Sequence, residues 1–279
     1  MSAHEPSEPL ASVPLPEVPE SFVEVAGALA EAASAVTRRW FRGDFRIEDK
    51  ADESPVTVAD RETEQAMRAV LAERLPQHGI VGEEWGRERA EAEWVWVLDP
   101  IDGTRAFVTG NPLFGTLISL AWRGRPCLGI IEMPMLGERW LGVAGRPTSF
   151  SDARGSRPVA VRDVGGLDQA ILRTTSPDMF SGDSEAAWRR LRSGVKSTLY
   201  GGDLFCYGQL ASGYVDLVCE NGLQPYDFMA LVPVLAGAGA IASDWQGRPL
   251  GLGSAGDVLV AATPALHAAA LARLAAPVG

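Results

Sequence analysis

Trp94-Val95-Trp96-Val97-Leu98-Asp99-Pro100-Ile101-Asp102-Gly103-Thr104 is the stretch on which the reading of this chain turns. Its first five residues are apolar and rich in β-branched and aromatic side chains, the pattern of a strand covered on both faces, and the run stops at an acidic turn. Asp99 and Asp102 stand three apart across a proline at the end of that strand. Such a turn can aim both carboxylates into one pocket, with the Ile101 carbonyl as a third oxygen, the all-oxygen donor set that a hard cation such as Mg²⁺ takes. Packed carboxylates repel one another and raise each other's pKa, so a cluster of them makes physical sense mainly as a metal site. Singly, each acid reads more simply, as turn chemistry for an Asp-Gly pair or as solvated surface for a Glu pair.

Working towards the N-terminus, residues 79–82 read as a short strand closing on Glu83-Glu84, preceded by a helix over 58–74 that ends before Pro76. A loop carrying Lys50 and Asp52 leads to Ser54-Pro55. Before it, Phe22, Val25, Ala26, Leu29, Ala32, Ala33, Val36 and Trp40 recur at helical spacing over 21–42, with Ser21 as N-cap and Glu24 three residues on. Towards the C-terminus, 115–122, 127–133 and 138–143 read as strands joined by short turns such as Arg123-Gly124-Arg125-Pro126. The Gly- and Arg-containing stretch 145–158 is the candidate boundary. Beyond it, strand-like 170–174, 214–219 and 258–262 alternate with helical 184–192, 203–212, a helix opening near Asp227 and a closing helix over 264–274, which argues for an α/β layer. Pro233 predicts a kink or a later start for the helix near Asp227. The expected organisation is a disordered Pro-rich tail over 1–20, an α+β domain over 21–150 carrying most of the acids, and an α/β domain over 151–279.

Composition narrows the chemistry. A chain of 279 residues that is 46% hydrophobic can bury a large core, and a net charge of -11 disfavours nucleic acid, whose phosphates need clustered Lys and Arg. Lys50 and Lys196 are the only lysines, so a G-x-x-x-x-G-K-[ST] phosphate loop cannot be built. Cys127, Cys206 and Cys219 are far apart and form neither a zinc pattern nor a disulfide framework, which suits the cytoplasm. No apolar run reaches the roughly 20 residues of a membrane span, and the acidic first twenty residues do not resemble an export signal. His4, His78 and His267 have no nucleophile setting, the cysteines lack a C-x₅-R loop, and Asp99 to Asp102 is one residue too long for the D-x-D of an aspartyl-phosphate mechanism.

Gly82-Glu83-Glu84, Asp99-Pro100-Ile101-Asp102-Gly103-Thr104 and Tyr226-Asp227, in this order, resemble the signatures of the inositol monophosphatase family, over nearly all of the chain from Ser21 onwards. The resemblance implies a mixed α/β fold, a layered αβαβα sandwich of the inositol monophosphatase/fructose bisphosphatase type. It implies two or three Mg²⁺ ions, one held by Glu83, Asp99 and the Ile101 carbonyl, a second by Asp99, Asp102 and Asp227. It also implies a water oriented by Thr104 and Asp60, with Glu84 beside them, and a homodimer. One departure is Tyr226, where the family usually has tryptophan. By elementary chemistry, paired cations would clamp the phosphate and activate the water, and the N–H groups of Gly103, Thr104 and Arg105 at a helix start would cradle phosphate. Thr104 reads equally as a helix cap, and Asp227 alone as an N-cap.

The stretches 103–110 and 136–140, with Gly201-Gly202-Asp203 and Tyr226-Asp227-Phe228-Met229-Ala230-Leu231, resemble the histidinol-phosphate phosphatase branch. Asp203, after Gly202, and Glu220 add two carboxylates, which suits a cationic ester better than a neutral polyol. Asp203 also reads as the N-cap of the helix that follows Gly202. The expectation is hydrolysis of L-histidinol phosphate, with inositol 1-phosphate or another sugar or nucleotide phosphate as the alternative. A catalytically silent metal-binding scaffold is the reading from another class, and the presence of Asp60 and Thr104 argues against it.

Overall fold

The computed structural model describes residues 13–43, 47–49 and 55–276. Residues 1–12 of the expected tail, and the loop with Lys50, Asp52 and Ser54, lie outside the described residues.

Helix α1 (Glu20–Trp40) is followed by the antiparallel pair β1 (Ile47–Asp49) and β2 (Pro55–Thr57), then by α2 (Val58–Arg74). Next come β3 (Gly79–Gly82), β4 (Gly86–Glu88), β5 (Trp94–Asp102), the short α3 (Thr104–Val108), β6 (Gly115–Trp122), β7 (Arg125–Met133), β8 (Glu138–Val143), β9 (Ser149–Asp152) and β10 (Gly155–Pro158). Strands β3 to β10 form one eight-stranded sheet in the order β10-β9-β8-β7-β6-β5-β3-β4. The remainder runs β11 (Ile171–Thr174), α4 (Gly182–Arg192), β12 (Ser197–Tyr200), α5 (Asp203–Ala211), β13 (Leu217–Glu220), α6 (Pro225–Phe228), α7 (Leu231–Gly237), β14 (Ile241–Ser243), β15 (Val258–Ala261) and α8 (Pro264–Ala275). A second sheet has the order β12-β11-β13-β15-β14.

The alternation of side chains along β5 generates the layers. Trp96 and Leu98 pack with Ala26, Leu29, Ala33, Met67 and Leu71 of α1 and α2, whereas Val95 and Val97 face the opposite way, into a core with Leu204, Tyr207, Phe228, Val234 and Val218. On the second sheet, Val218 and Val260 share that middle core, and Leu217, Cys219, Leu259 and Ala261 face α4 and α8. Successive side chains on a strand point to opposite faces, so two doubly covered sheets yield five layers, αβαβα. The middle core draws on both halves of the chain and welds them across the site.

Several boundaries differ from those read in the sequence. Helix α1 begins at Glu20 after Pro19, so Ser21 is not its N-cap. The stretch 145–158, read as the candidate boundary, contributes β9 and β10, paired as a hairpin at the edge of the first sheet. Strand β13 begins at Leu217, because residues 213 and 214 are still spent closing α5, with Gly213 N–H on the Leu210 carbonyl and Tyr214 N–H on that of Gln209. Pro233 falls in the first turn of α7, where its missing N–H costs no hydrogen bond, so the later start is the alternative realised. The short edge strands β12 and β14 carried too little pattern to be read.

Candidate active site

Strand β5 does not stop at Leu98. Its pairing with β6 runs Leu98↔Ile118, Asp99↔Leu117 and then Asp102↔Gly115, so one extra residue is accommodated at Pro100-Ile101. In a regular strand, residues three apart point to opposite faces; the bulge resets the alternation and turns Asp99 and Asp102 to the same side. Pro100 suits a bulge, having no N–H to give to the ladder, and the Thr116 hydroxyl donates to its carbonyl at 2.8 Å.

Register delivers Glu83. Strands β3 and β5 are parallel with Gly82 opposite Leu98, and the Glu83 N–H continues the ladder to the Leu98 carbonyl at 3.2 Å. Glu83 therefore stands level with Asp99. Asp227 comes from across the middle layer, on α6, where its Oδ2 accepts the Gln224 N–H at 2.6 Å. Gln224 is the N-cap of that helix and Asp227 its third residue, which corrects the N-cap reading of Asp227.

The four carboxyls crowd one another. Burial, then Glu83, then Asp102 and Asp227, push the Asp99 carboxyl well above its ordinary range. Burial, then Asp203, Asp227 and Glu220, raise Asp102, and burial raises Asp227 to about 7. Asp99 is 1% exposed, and its Oδ1 has no hydrogen-bond partner. Among the described residues no three His, Cys, Asp or Glu side chains close into a tight coordination cage, so the acids form an open array. The array nonetheless fits a divalent cation: every donor is oxygen, and an orphaned buried carboxylate oxygen is costly until a proton or a cation meets it.

Asp60 is held separately. Its Oδ2 accepts from the Thr57 hydroxyl at 2.6 Å and the Thr57 N–H at 2.8 Å, the capping box that opens α2. Burial raises Asp60 to about 6, outweighing the Thr57 hydrogen bonds that oppose it, with a smaller upward push from Glu84. The Thr104 hydroxyl lies 3.4 Å from Asp60 Oδ1 and 3.0 Å from the Ile101 carbonyl, so its better hydrogen bond goes to Ile101. Gly103, left-handed at φ 83°, caps α3, and Thr104 is the first helical residue rather than its cap.

Asp102, Asp203, Glu220 and Asp227 line one cavity of about 140 Å³ with Thr175, Met179, Leu204, Tyr207 and Leu223. Gly103, Thr104, Arg105 and Gly202 are not among its walls. Asp102 Oδ2 accepts the Leu204 N–H at 2.7 Å and so tethers the start of α5 to β5. Asp203 is not the N-cap of α5: Gly202 is, and the Asp203 carboxylate lies against Gly103 instead. Burial raises Asp203 to about 6, reinforced by Glu220 and opposed by Arg105 and Arg173. Glu220 is 2% exposed and fully engaged: Thr175 donates its N–H at 2.8 Å and its hydroxyl at 2.6 Å, and Tyr207 its hydroxyl at 2.6 Å. A larger hollow of about 420 Å³ at the other end of α5, bounded by Trp140, Arg154 and Gln209, includes none of the site acids.

Two contributors escaped the sequence reading. Glu64 is completely buried, accepts the N–H groups of Glu84 at 2.7 Å and Trp85 at 3.2 Å, and is paired with Arg68 Nε at 2.7 Å. It fixes the turn that carries Glu83, and Gly82 is required there, since a Cβ would sit 2.0 Å from Glu64 Oε1. The available signal was two acids, Asp60 and Glu64, on the same helical stripe as Met67 and Leu71, where burial is expected. Tyr207 had no such signal, because nothing local distinguishes it from a core aromatic.

With this geometry established, comparison with known proteins identifies the class. The model of the inositol monophosphatase family matches residues 18–277, and the chain belongs to that family of phosphatases. A chloroplastic bifunctional phosphatase IMPL2 of Arabidopsis thaliana is 50% identical over 231 residues, covering 82% of this chain and 66% of that protein, just under two thirds of its length. A histidinol-phosphatase of Mycobacterium tuberculosis is 35% identical over 254 residues, 88% of this chain and 95% of its own. The solved structure of an inositol monophosphatase from Zymomonas mobilis superposes with a TM-score of 0.83 at 47% identity, covering 91% of this chain and 98% of that one. Among the described residues no helix is long and apolar enough to cross a membrane.

Proposed function

We propose that this phosphatase hydrolyses L-histidinol phosphate, releasing L-histidinol and phosphate with the help of Mg²⁺. The observation that carries the reading is the cavity in which Asp203 and Glu220 stand beside Asp102 and Asp227. A neutral polyol brings no positive charge to this acid cluster, whereas an ammonium or imidazolium donates charged hydrogen bonds to it and relieves its repulsion. Glu220 already spends both oxygens on Thr175 and Tyr207, so Asp203 is the carboxylate available to read the cation.

Glu83, Asp99, Asp102, Asp227 and the Ile101 carbonyl would hold the metal. Bound there, Mg²⁺ would lower the pKa of the attacking water and stabilise charge on the phosphoryl and leaving oxygens. Asp60, raised to about 6 by burial, is poised to accept a proton near neutral pH, with Thr104 between it and Ile101 orienting the water and Glu84 beside the pair. Gly103, Thr104 and Arg105 complete the phosphate contact and Gly202 the substrate edge. The likeness to a histidinol-phosphatase supports this substrate; the likeness to an inositol monophosphatase supports the second reading, an inositol phosphate. A homodimer working in the cytoplasm belongs to the same proposal.

The deciding experiment compares kcat/KM in Mg²⁺ for L-histidinol phosphate and myo-inositol 1-phosphate, in the wild type and in Asp203→Ala. A preference for the histidinol ester that collapses in the variant is expected. A preference for the inositol ester, or none, would overturn the substrate and leave the phosphatase chemistry standing.

A further inference from the structure

We propose that Arg173 is a positioning residue for substrate selection: it braces the Gly201-Gly202-Asp203 turn so that the Asp203 carboxylate is presented to the cavity. The inference rests on the functional reading above, since Asp203 is its target.

The conformational cost of the turn falls on Asp203, since glycine adopts positive φ freely. Gly201, Gly202 and Asp203 have φ of 79°, 100° and 39° in succession, and Asp203 is one of the few non-glycine residues described with positive φ. A non-glycine residue held there persists only where its surroundings over-determine it. Arg173, on β11, supplies that constraint. Its Nη2 donates to the Gly201 carbonyl at 2.7 Å, and its Nη1 donates to Gln209 Oε1 on α5. The guanidinium thus ties the turn to β11 and to the helix after it. It also packs directly on the turn, because a Cβ on Gly202 would lie 3.0 Å from Nη2.

Two further observations separate this arrangement from ordinary packing. Arg173 Nε is buried without a hydrogen-bond partner, a cost that a lysine could avoid, but a lysine cannot span two acceptors with a planar fork. The positive charge also stands beside Asp203, opposing the push from Glu220. On its far side the turn is fastened independently, by the Leu204 N–H on Asp102. Loss of the brace therefore loosens the Asp203 side of the turn while the tie to the catalytic acids stays in place.

The test is Arg173→Gln, assayed with L-histidinol phosphate and myo-inositol 1-phosphate, alone and combined with Asp203→Ala. The expected result is a rise of about tenfold in KM for the histidinol ester with kcat within about twofold, little change for the inositol ester, and no further loss when Arg173→Gln is added to Asp203→Ala. Gln209→Leu, which removes one anchor of the brace, is expected to give a smaller shift of the same kind. Parallel losses on both esters, or multiplicative losses in the double variant, would show a merely structural role and overturn the inference. A wild type without preference refutes the substrate reading instead, and hydrogen exchange then judges the brace. Exchange accelerated at the amides of residues 201–203 in Arg173→Gln, with the remainder unchanged, supports it; unchanged exchange there overturns it.

Discussion

Two sets of buried acids in this molecule are built to opposite rules. Asp216 is fully buried, yet both its oxygens are matched: Arg162 donates through Nε at 2.7 Å and Nη2 at 2.6 Å, and the Ile171 N–H adds a third bond at 2.7 Å. Asp99, equally buried, has one oxygen with no partner, and its neighbours are Glu83, Asp102 and Asp227. Burial alone therefore says little about an acid's purpose. A matched acid ties the fold together, whereas acids that face acids carry a standing electrostatic cost that only protons or a cation can relieve.

The comparison breaks most readily at Asp99. Asp99→Asn is expected to fold, to lower kcat by on the order of 10³-fold, well beyond the 10–100-fold typical of outer-shell losses, and to lack the rise in Tm that Mg²⁺ is expected to produce in the wild type. Steady-state kinetics and a Mg²⁺ titration of Tm check both; near-normal turnover would remove Asp99 from the site. Asp216→Asn should do the reverse. Leaving Arg162 without its bidentate partner should cost about 2–3 kcal/mol in denaturant unfolding, less than a fully buried pair because Arg162 is partly exposed, with kcat of the folded fraction unchanged.

Glu64 combines both kinds, a matched acid that serves the clustered ones. Glu64→Gln replaces an acceptor by a group with only one accepting atom, so the Glu84-Trp85 turn loses a bond and Glu83 loses its fixed aim. The expected result is a roughly tenfold higher Mg²⁺ concentration for half-maximal activity, matched by a similar weakening in calorimetry. An unchanged Mg²⁺ dependence would mean that Glu83 does not need the brace.

The smallest effect concerns pH. Asp60 is raised from its ordinary 3.8 to about 6, so between those values the folded chain holds a proton that the unfolded chain releases. Stability from this group is full below about pH 4 and declines as pH rises towards 6, the opposite sign to a salt-bridged acid. In metal-free protein, the Tm of Asp60→Asn should therefore gain on the wild type by about 2–4 °C between pH 4 and 7. A constant difference across that range would show that Asp60 is not raised.

How much of this was legible beforehand depends on how local each cause is. The apolar run of β5, the exact span of α2 and the order of the acidic motifs follow from side-chain periodicity and turn chemistry, which neighbouring residues decide among themselves. The bulge at Pro100-Ile101 was half legible: the proline was visible, but the register that brings Asp99 and Asp102 to one face exists only once β6 pairs with β5. The split between α6 and α7 was likewise half visible, through Pro233. Edge strands of three or four residues gave too short a pattern to read.

Amino-acid order by itself determined the alternation of strands and helices, the acids available for a metal and the exclusion of rival phosphate chemistries, because these depend on composition and spacing; the five-layer arrangement was implied only by the family resemblance. Only the tertiary structure decided which acids stay uncompensated, that Asp102 tethers α5 instead of standing free, that Glu220 is taken by Thr175 and Tyr207, and that Glu64 and Arg173 brace the two turns carrying Glu83 and Asp203. Hydrogen bonds between residues 20 to more than 100 positions apart leave no trace in local spacing, since their partners meet only when the sheets close around the middle layer.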